Sequence, residues 1–205
     1  MIQMKKQLLS AALVAAFSSA LAINANAADI TKGKITFEGK VVEQTCTISN
    51  NNENQTVKLK NVSKNALAQK YATAMPTQFF IHLNNCTVGQ GAGANNAVRV
   101  KAGFSSVDNI DVANEYTLAN KAQTNKADKV NIRLFNKDGT TAISPMKITT
   151  SVSDGVLKQI DEDNVKPEDI TTSTTLTYIA KYYATDVGVT SGDVKTSVDF
   201  ELVYE

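Results

Sequence analysis

Residues 33–42 read GKITFEGKVV and alternate between two kinds of side chain. Polar residues occupy one parity, and the other parity carries the row Ile35, Phe37, Gly39 and Val41. An alternation with a period of two is typical of a strand with one buried face. The stretch precedes the first cysteine, and a strand there could pair with its own chain or with another chain. We predict that it leaves its own chain and completes the fold of a neighbouring one.

The first 27 residues have the three parts of a secretory signal peptide. Two lysines lie near the start, an apolar run covers residues 8–23, and Ala25-Asn26-Ala27 forms a cleavage site. The alternative, a retained membrane anchor, is disfavoured by the serines that interrupt the run. We predict cleavage after residue 27, an N-terminal extension over residues 28–40, and one domain over residues 41–205.

The composition argues against nucleic acid binding and against catalysis. Lysine and arginine number 21 and the acidic residues 20, so the charge is close to balance and nucleic acid is not an expected partner. His82 is the only histidine and falls on a polar parity, which places it on a solvent face. No nucleophile elbow or phosphate-binding loop is present. The acidic run at residues 161–169 lacks the spacing of a calcium loop and is interpreted as a surface loop. We therefore expect no enzyme activity, no catalytic residue, no cofactor and no metal site.

Cys46 and Cys86 are the only two cysteines. An even pair in an exported chain indicates a disulfide bond, because the compartments outside the cytosol are oxidising. Two free thiols or a metal site are the alternatives, and one histidine is too few to complete a zinc shell. The bond would close a loop of about 41 residues, for which chain entropy gives about 4 kcal/mol of stabilisation.

Short alternating runs separated by turn residues predict an all-β sandwich. One short helical turn is expected within residues 62–74, and Asp138-Gly139 is expected in a turn. The predicted strands and their inward rows lie at 41–49; at 56–60 with Val57 and Leu59; at 79–86 with Phe79, Ile81 and Leu83; near 98–102 with Val98, Val100 and Ala102; near 130–134 with Val130, Ile132 and Leu134, set against Asn131 and Arg133; and near 176–182 with Leu176, Tyr178, Ala180 and Tyr182.

The last predicted strand has the clearest alternation. Its inward row is Val194, Thr196, Val198, Phe200, Leu202 and Tyr204, and charged or polar residues occupy the other parity apart from Val203. The sequence stops at Glu205 within this pattern. We expect an exposed apolar edge there, and such an edge invites strand addition by another chain.

Four motifs together resemble those of a known family. They are the row from Gly33 to Val41 followed by Cys46, the strand pattern from Phe79 to Cys86, the stretch Ala180-x-Tyr182-Tyr183-Ala184-Thr185, and the penultimate Tyr204. In this order and spacing they resemble the major pilins of Gram-negative chaperone–usher fimbriae. Thr73–Thr77 and Ser197–Phe200 bring them nearest to the Haemophilus-type haemagglutinating pilus subunit. Residues 107–126 and 151–174 depart from the type 1 pilin pattern.

This resemblance implies an incomplete immunoglobulin-like sandwich whose missing strand comes from a partner. A periplasmic chaperone would supply the strand first, and the next pilin subunit would replace it at the outer-membrane usher. The implied partners are identical or related pilin subunits, in an adhesive fimbrium at the cell surface. The donor residues would be Gly33, Ile35, Phe37, Gly39 and Val41. The acceptor edge within residues 195–205, which also contacts the chaperone, would comprise Val198, Phe200, Leu202, Tyr204 and Glu205.

Two other functions stay open on the sequence. A minor adaptor subunit of the same fimbria would share every motif quoted above. A non-polymerising secreted binding domain, such as a tip adhesin, fits less well because it would have no use for the donor extension.

Overall fold

The computed structural model describes residues 34–39, 41, 46–49, 52–87, 97–147 and 164–205. By its contacts the chain divides into two units between Gly39 and Lys40. Every described strand belongs to the second unit, residues 40–205. The predicted signal peptide and Gly33 lie outside the described residues, so the predicted domain boundaries stay predictions. Among the described residues no helix is long and apolar enough to span a bilayer.

Two sheets contain all the strands of the described part. The strands are β1 Thr47–Ile48, β2 Thr73–Asn84, β3 Arg99–Ser106, β4 Ile110–Asp111, β5 Thr117–Ala119, β6 Val130–Asn136, β7 Ala142–Ile143, β8 Met146–Lys147, β9 Glu168–Asp169, β10 Thr174–Ala184 and β11 Asp199–Tyr204. The larger sheet has the order β1-β2-β10-β6-β5-β4, with β7 also beside β6. The smaller sheet has the order β11-β3-β8, with β9 also beside β3. Short 3₁₀ turns lie at Lys64–Leu67, where a helical turn was predicted, and at Val112–Asn114.

The two sheets pack face to face through aromatic side chains. The rings of Phe104 on β3 and Tyr178 on β10 meet edge to face with centroids 5.0 Å apart. The backbone N–H of Ala102 on β3 also donates to the Tyr178 hydroxyl at 3.0 Å. Ile81 and Leu83 on β2 are fully buried on the same inner face. The predicted all-β sandwich is confirmed.

The central strands β6 and β10 are buried on both faces, which the sequence did not indicate. Asn131 was predicted to face solvent, but it is buried and donates to the Thr117 hydroxyl at 2.8 Å. Arg133 is half-buried, pairs with Glu115 and lies 5.3 Å from the ring centroid of Tyr183. Burial, with the Glu115 charge nearby, raises the pKa of Tyr183 to about 12. Alternation fails here because the side chains of Asp111, Glu115 and Thr117 bond to Asn131 and Arg133 on the outer face of β6.

The predicted strand at residues 56–60 is wrong. Val57 and Leu59 are half-buried between exposed neighbours, as predicted, yet the described chain offers this segment no strand partner. Side-chain amides take the partner positions along β2 instead. The N–H of His82 donates to Asn52 at 3.1 Å, and Gln55 donates to the Phe80 carbonyl at 3.0 Å.

Two further predictions fail near β3. Val98 was predicted to point inward, but it is 52% exposed and Ala97 is buried instead, because the chain bends before β3 begins. The acidic stretch 161–169 was predicted to be a loop. Its first three residues lie outside the described residues, and Glu168–Asp169 form β9, which pairs with the start of β3.

The predicted Asp138-Gly139 turn is confirmed. Gly139 has a φ of +69° and its N–H donates to the Asn136 carbonyl at 2.9 Å. The Asp138 carboxylate pairs with Lys166 at 2.6 Å and accepts from the N–H groups of Thr140 and Thr141. These contacts, led by Lys166, lower the pKa of Asp138 well below its usual range.

Candidate functional site

Strand β11 forms one edge of the smaller sheet and carries a half-covered apolar row. Phe200, Leu202 and Tyr204 are each partly buried and pack against the core, and Val198 just before the strand does the same. Between them Asp199 and Glu201 are exposed. The predicted parity is therefore correct, although paired strand begins only at Asp199. By contrast, the inward row of the neighbouring strand β3, Val100, Ala102 and Phe104, is fully buried.

The backbone of β11 uses only one side for pairing within the described part of the chain. Antiparallel strands alternate residues that exchange both backbone hydrogen bonds with residues that direct theirs the other way. Glu205 exchanges both bonds with Arg99, at 2.9 and 3.1 Å. By this alternation the N–H and C=O groups of Phe200, Leu202 and Tyr204 point away from β3. These backbone groups form an edge to which another strand could add.

The C-terminal residue is fixed on the side of β3. Its carbonyl accepts from the N–H of Val98 at 2.8 Å as well as from Arg99, and its side chain pairs with Lys101 at 3.3 Å. The hydroxyl of the neighbouring Tyr204 donates to the Cys46 carbonyl at 3.4 Å. Glu205 therefore has a defined position, held by the backbones of Val98 and Arg99 and by the Lys101 ammonium group.

Cys46 and Cys86 form a disulfide bond, and both are buried. Cys46 directly precedes β1, and Cys86 follows β2 by two residues. The bond therefore ties β1 to the end of β2, where the two strands pair through Thr47 and Asn84. Of the predicted first core strand at 41–49, the described part is strand only at Thr47–Ile48.

The predicted donor residues are exposed. Ile35 is 79% exposed, Phe37 is 90% exposed and Val41 is also exposed. Residues 34–39 have no assigned secondary structure, and a Cβ added at Gly39 would meet no atom within 4 Å. Apolar side chains of this size are usually covered in a soluble assembly.

The only histidine lies on the outer face of β2. The His82 ring stacks on Phe80 with centroids 6.0 Å apart, and its Nδ1 lies 3.0 Å from the Thr175 hydroxyl. Within the described ranges no three His, Cys, Asp or Glu side chains lie close enough to hold a metal ion.

Two asparagines near β11 escaped the sequence analysis. Asn109 and Asn120 bond through their side chains to the backbone of the segment that leads into β11. No period or motif marks them, because both come from loop positions and their partners are about 75–88 residues away.

Solved structures of pilus subunits share this fold. The rod subunit PapA of the P pilus aligns over 79% of this chain and 100% of its own, with a TM-score of 0.55 and 20% identity. A chain from a chaperone–usher pilus, solved in a study of rod uncoiling, aligns over 85% of this chain and 96% of its own, with a TM-score of 0.53 and 19% identity. The fold is the incomplete immunoglobulin-like sandwich of pilus subunits.

Sequence relatives narrow the class to a family. A major fimbrial subunit from Haemophilus influenzae is 41% identical over 217 residues, which cover 98% of this chain and 100% of the relative. The family model for fimbrial proteins matches residues 35–205. The chain belongs to the fimbrial protein family. It is a structural pilus subunit that assembles with other pilin subunits in a fimbrium at the cell surface.

Proposed function

We propose that this chain is the shaft subunit of an adhesive fimbria and polymerises by donor-strand exchange. In this scheme residues 28–40 of one copy add to the open edge of β11 in another copy. Ile35, Phe37 and Gly39 face inward in the acceptor, and Val41 lies where the extension joins the first core strand. The observation that carries the proposal is the half-buried row of β11 beside backbone groups that point away from β3.

The acceptor row provides a surface that an apolar strand would cover. Val198, Phe200, Leu202 and Tyr204 already pack against the core on one side and remain partly exposed on the other. Leu59 and Val62, from the unpaired segment after β1, are half-buried core neighbours of the same kind. Covering a large apolar side chain stabilises a structure by about 1.5–3 kcal/mol, and each new backbone hydrogen bond adds about 1 kcal/mol.

The donor row has the complementary pattern. Ile35 and Phe37 share one parity with Gly39, while Lys34, Thr36 and Glu38 occupy the other. An incoming strand with this alternation places its apolar side chains on the core and its polar side chains in solvent. Exposed as they are here, Ile35 and Phe37 gain most from such an exchange.

A periplasmic chaperone and an outer-membrane usher are the proposed partners before assembly. The predicted signal peptide supports export into the periplasm. The terminal carboxylate of Glu205, as distinct from its side chain, lies at the end of the proposed acceptor edge. Basic residues of a chaperone cleft could bind it there. An apolar edge of this length is prone to aggregation unless it is covered, which is the physical reason for a chaperone.

The Haemophilus relative is a major fimbrial subunit, and this similarity favours a shaft role over a minor adaptor role. The two roles differ in abundance, because a shaft subunit repeats along the whole filament. Gel analysis of fimbriae sheared from cells distinguishes them. The shaft role requires this chain to be the main band.

A pair of matched variants tests donor-strand exchange. Phe37→Glu introduces a charge into the inward row, whereas Thr36→Glu introduces the same charge one position away on the outward face. We expect Phe37→Glu to leave subunit in the periplasm and to reduce sheared fimbriae at least about tenfold, since a buried unpaired charge costs several kcal/mol. Thr36→Glu should assemble at close to the wild-type level. Equal yields of fimbriae from the two variants would contradict the proposal.

A further inference from the structure

We propose that a cleft beside β2 binds a neutral sugar ring, the terminal pyranose of a glycan. The cleft lies between the segment 52–58 and the edge of β2. Asn52, Gln55 and Lys58 line it from the segment, and Gln78, Phe80 and His82 line it from β2. This inference rests on the proposed function, because it assigns a ligand to an adhesive fimbria, but the cleft itself needs no donor strand.

The cleft exists because β1 ends before it can cover the edge of β2. β1 pairs only with Leu83 and Asn84, and the N–H of Ser49 donates to the His82 carbonyl at 2.8 Å. Beyond that point the segment 52–58 runs along β2 without pairing as a strand within the described chain. The space between them is about 280 Å³. That volume equals roughly nine water molecules in the liquid, which suits a single sugar ring.

Three side chains in the cleft are fixed through one polar atom and offer the other to a ligand. Asn52 Oδ1 accepts from the N–H of His82 at 3.1 Å, so its N–H₂ group is available as a donor. Gln55 Nε2 donates to the Phe80 carbonyl at 3.0 Å, so its Oε1 is available as an acceptor. His82 Nδ1 lies 3.0 Å from the Thr175 hydroxyl, and within the described chain no hydrogen bond uses its Nε2. Because these groups are held in place before a ligand arrives, binding costs less ordering entropy.

Phe80 and His82 provide a flat surface beside these polar groups. The planes of their rings are inclined by only 15°, and the Phe80 side chain is 38% exposed. An aromatic ring packs well against a flat apolar surface, and a pyranose presents such a surface through the C–H groups of one face. The hydroxyl groups at the rim of the sugar would then lie level with the amides of Asn52, Gln55 and Gln78.

The chemistry of the lining favours a neutral, hydroxyl-rich ligand over other classes. Lys58 is the only lysine, arginine or acidic residue among the described residues that line the cleft. Phosphate and sulfate groups are bound best by several charge-assisted donors, and one lysine supplies too few. A cationic ligand would need a carboxylate, and the sequence has no aspartate or glutamate between residues 54 and 107. Amide side chains both donate and accept hydrogen bonds, as sugar hydroxyls do.

Repetition along a shaft would make a weak site effective. A small open cleft binds one sugar ring weakly, because it buries little of the ligand and makes few contacts. Linking many such sites on one filament raises the overall affinity by about 10²–10⁴-fold without any new contact. An abundant subunit can therefore adhere to a glycan-coated surface through a site that binds the free sugar poorly.

Saturation-transfer NMR on sheared fimbriae tests the site. The probes are the methyl glycosides of galactose, glucose, mannose and N-acetylglucosamine at millimolar concentration. We expect saturation to reach the ring C–H protons of at least one probe, and Phe80→Ala fimbriae to bind that probe at least about fivefold more weakly. The control is Tyr71→Ala, which removes an exposed ring outside the cleft and should leave binding unchanged. Transfer to none of the four probes, or equal binding by the two variants, would overturn the proposal.

A second pair of variants keeps the test independent of folding. The Gln78 side chain is exposed and makes no hydrogen bond within the described chain, so Gln78→Ala fimbriae should assemble normally. We expect them to bind the sugar at least about threefold more weakly, because one hydrogen bond to the ligand is lost. Gln69→Ala removes an exposed glutamine outside the cleft and serves as the control. Equal binding by Gln78→Ala and Gln69→Ala would show that this cleft is not the sugar site.

The outcomes separate the sugar site from the proposed function. Fimbriae that contain this chain and bind none of the probes would contradict the site and leave donor-strand exchange standing. Fimbriae that lack this chain would contradict the shaft role, and the same NMR measurement on the full mature chain purified from the periplasm would then decide about the cleft alone. If both are correct, fimbriae should bind a surface coated with the sugar at least about 100-fold more tightly than the isolated subunit does.

Discussion

Gly39 is the residue that departs from the alternation of the donor row. Glycine weakens a strand because it offers no side chain for packing and loses more backbone entropy on ordering. Its place between Phe37 and Val41 therefore suggests a shallow position in the acceptor, where another backbone approaches closely. A simple bend before the first core strand is the alternative explanation.

A bulky residue at this position separates the two explanations. Gly39→Leu should not disturb its own subunit, because a Cβ there meets no atom within 4 Å. In the acceptor, overpacking costs about 1–3 kcal/mol, so polymerisation of purified chaperone–subunit complexes should slow by about tenfold or more. Glu38→Leu adds the same side chain to the outward face and serves as the control. Growth of Gly39→Leu polymer at the rate of wild type would rule out the close fit.

Single residues also show where sequence reasoning succeeds and where it stops. The parity of Phe200, Leu202 and Tyr204 could be predicted because alternation is a local property of an extended chain. The disulfide bond between Cys46 and Cys86 could be predicted because export and an isolated pair leave one pairing. The bonds of Asn109 and Asn120 could not be predicted, since an asparagine in a loop gives no sign of a partner about 75–88 residues away.

At the scale of elements, the pairing partner of a strand was harder to predict than the extended conformation of the strand itself. Residues 56–60 have the burial pattern of a strand, yet the amides of Asn52 and Gln55 take the partner positions on β2. Residues 168–169 were expected in a loop and instead pair with β3. At residues 56–60 the sequence shows which side chains turn inward, but in both places the pairing partner depends on contacts far along the chain. The donor and acceptor roles stay predictions for the same reason.

The end of β11 is the element on which chaperone capture should depend. Removing Tyr204 and Glu205 deletes a half-buried ring, the two backbone bonds to Arg99 and the terminal carboxylate at its present position. We expect the truncated subunit to lose its chaperone and to be degraded, as measured by co-purification from the periplasm. Glu205→Gln removes the ion pair to Lys101, a partly exposed contact worth about 1 kcal/mol, and should be captured normally. Co-purification of the truncated chain at wild-type levels would show that the acceptor edge is misplaced.

At the scale of the whole molecule, the described part of the sandwich combines a covered core with a half-covered row along β11. The inward rows of β2, β3 and β10 include fully buried side chains, among them Ile81, Val100 and Leu176. The row of β11 does not, although the same alternation produces it. The unit ahead of Lys40 carries the apolar side chains of Ile35 and Phe37 in solvent. A donor row and an acceptor row on one chain are what a polymer of identical subunits requires.

Electron cryomicroscopy of sheared fimbriae, at a resolution that shows side chains, tests donor-strand exchange most directly. We predict that residues 33–41 of one copy lie as a strand along residues 195–205 of the adjacent copy, with Ile35 and Phe37 buried against Phe200 and Leu202. If residues 33–41 instead pack on their own subunit, or if a different segment covers β11, the filament is not built by donor-strand exchange through these residues.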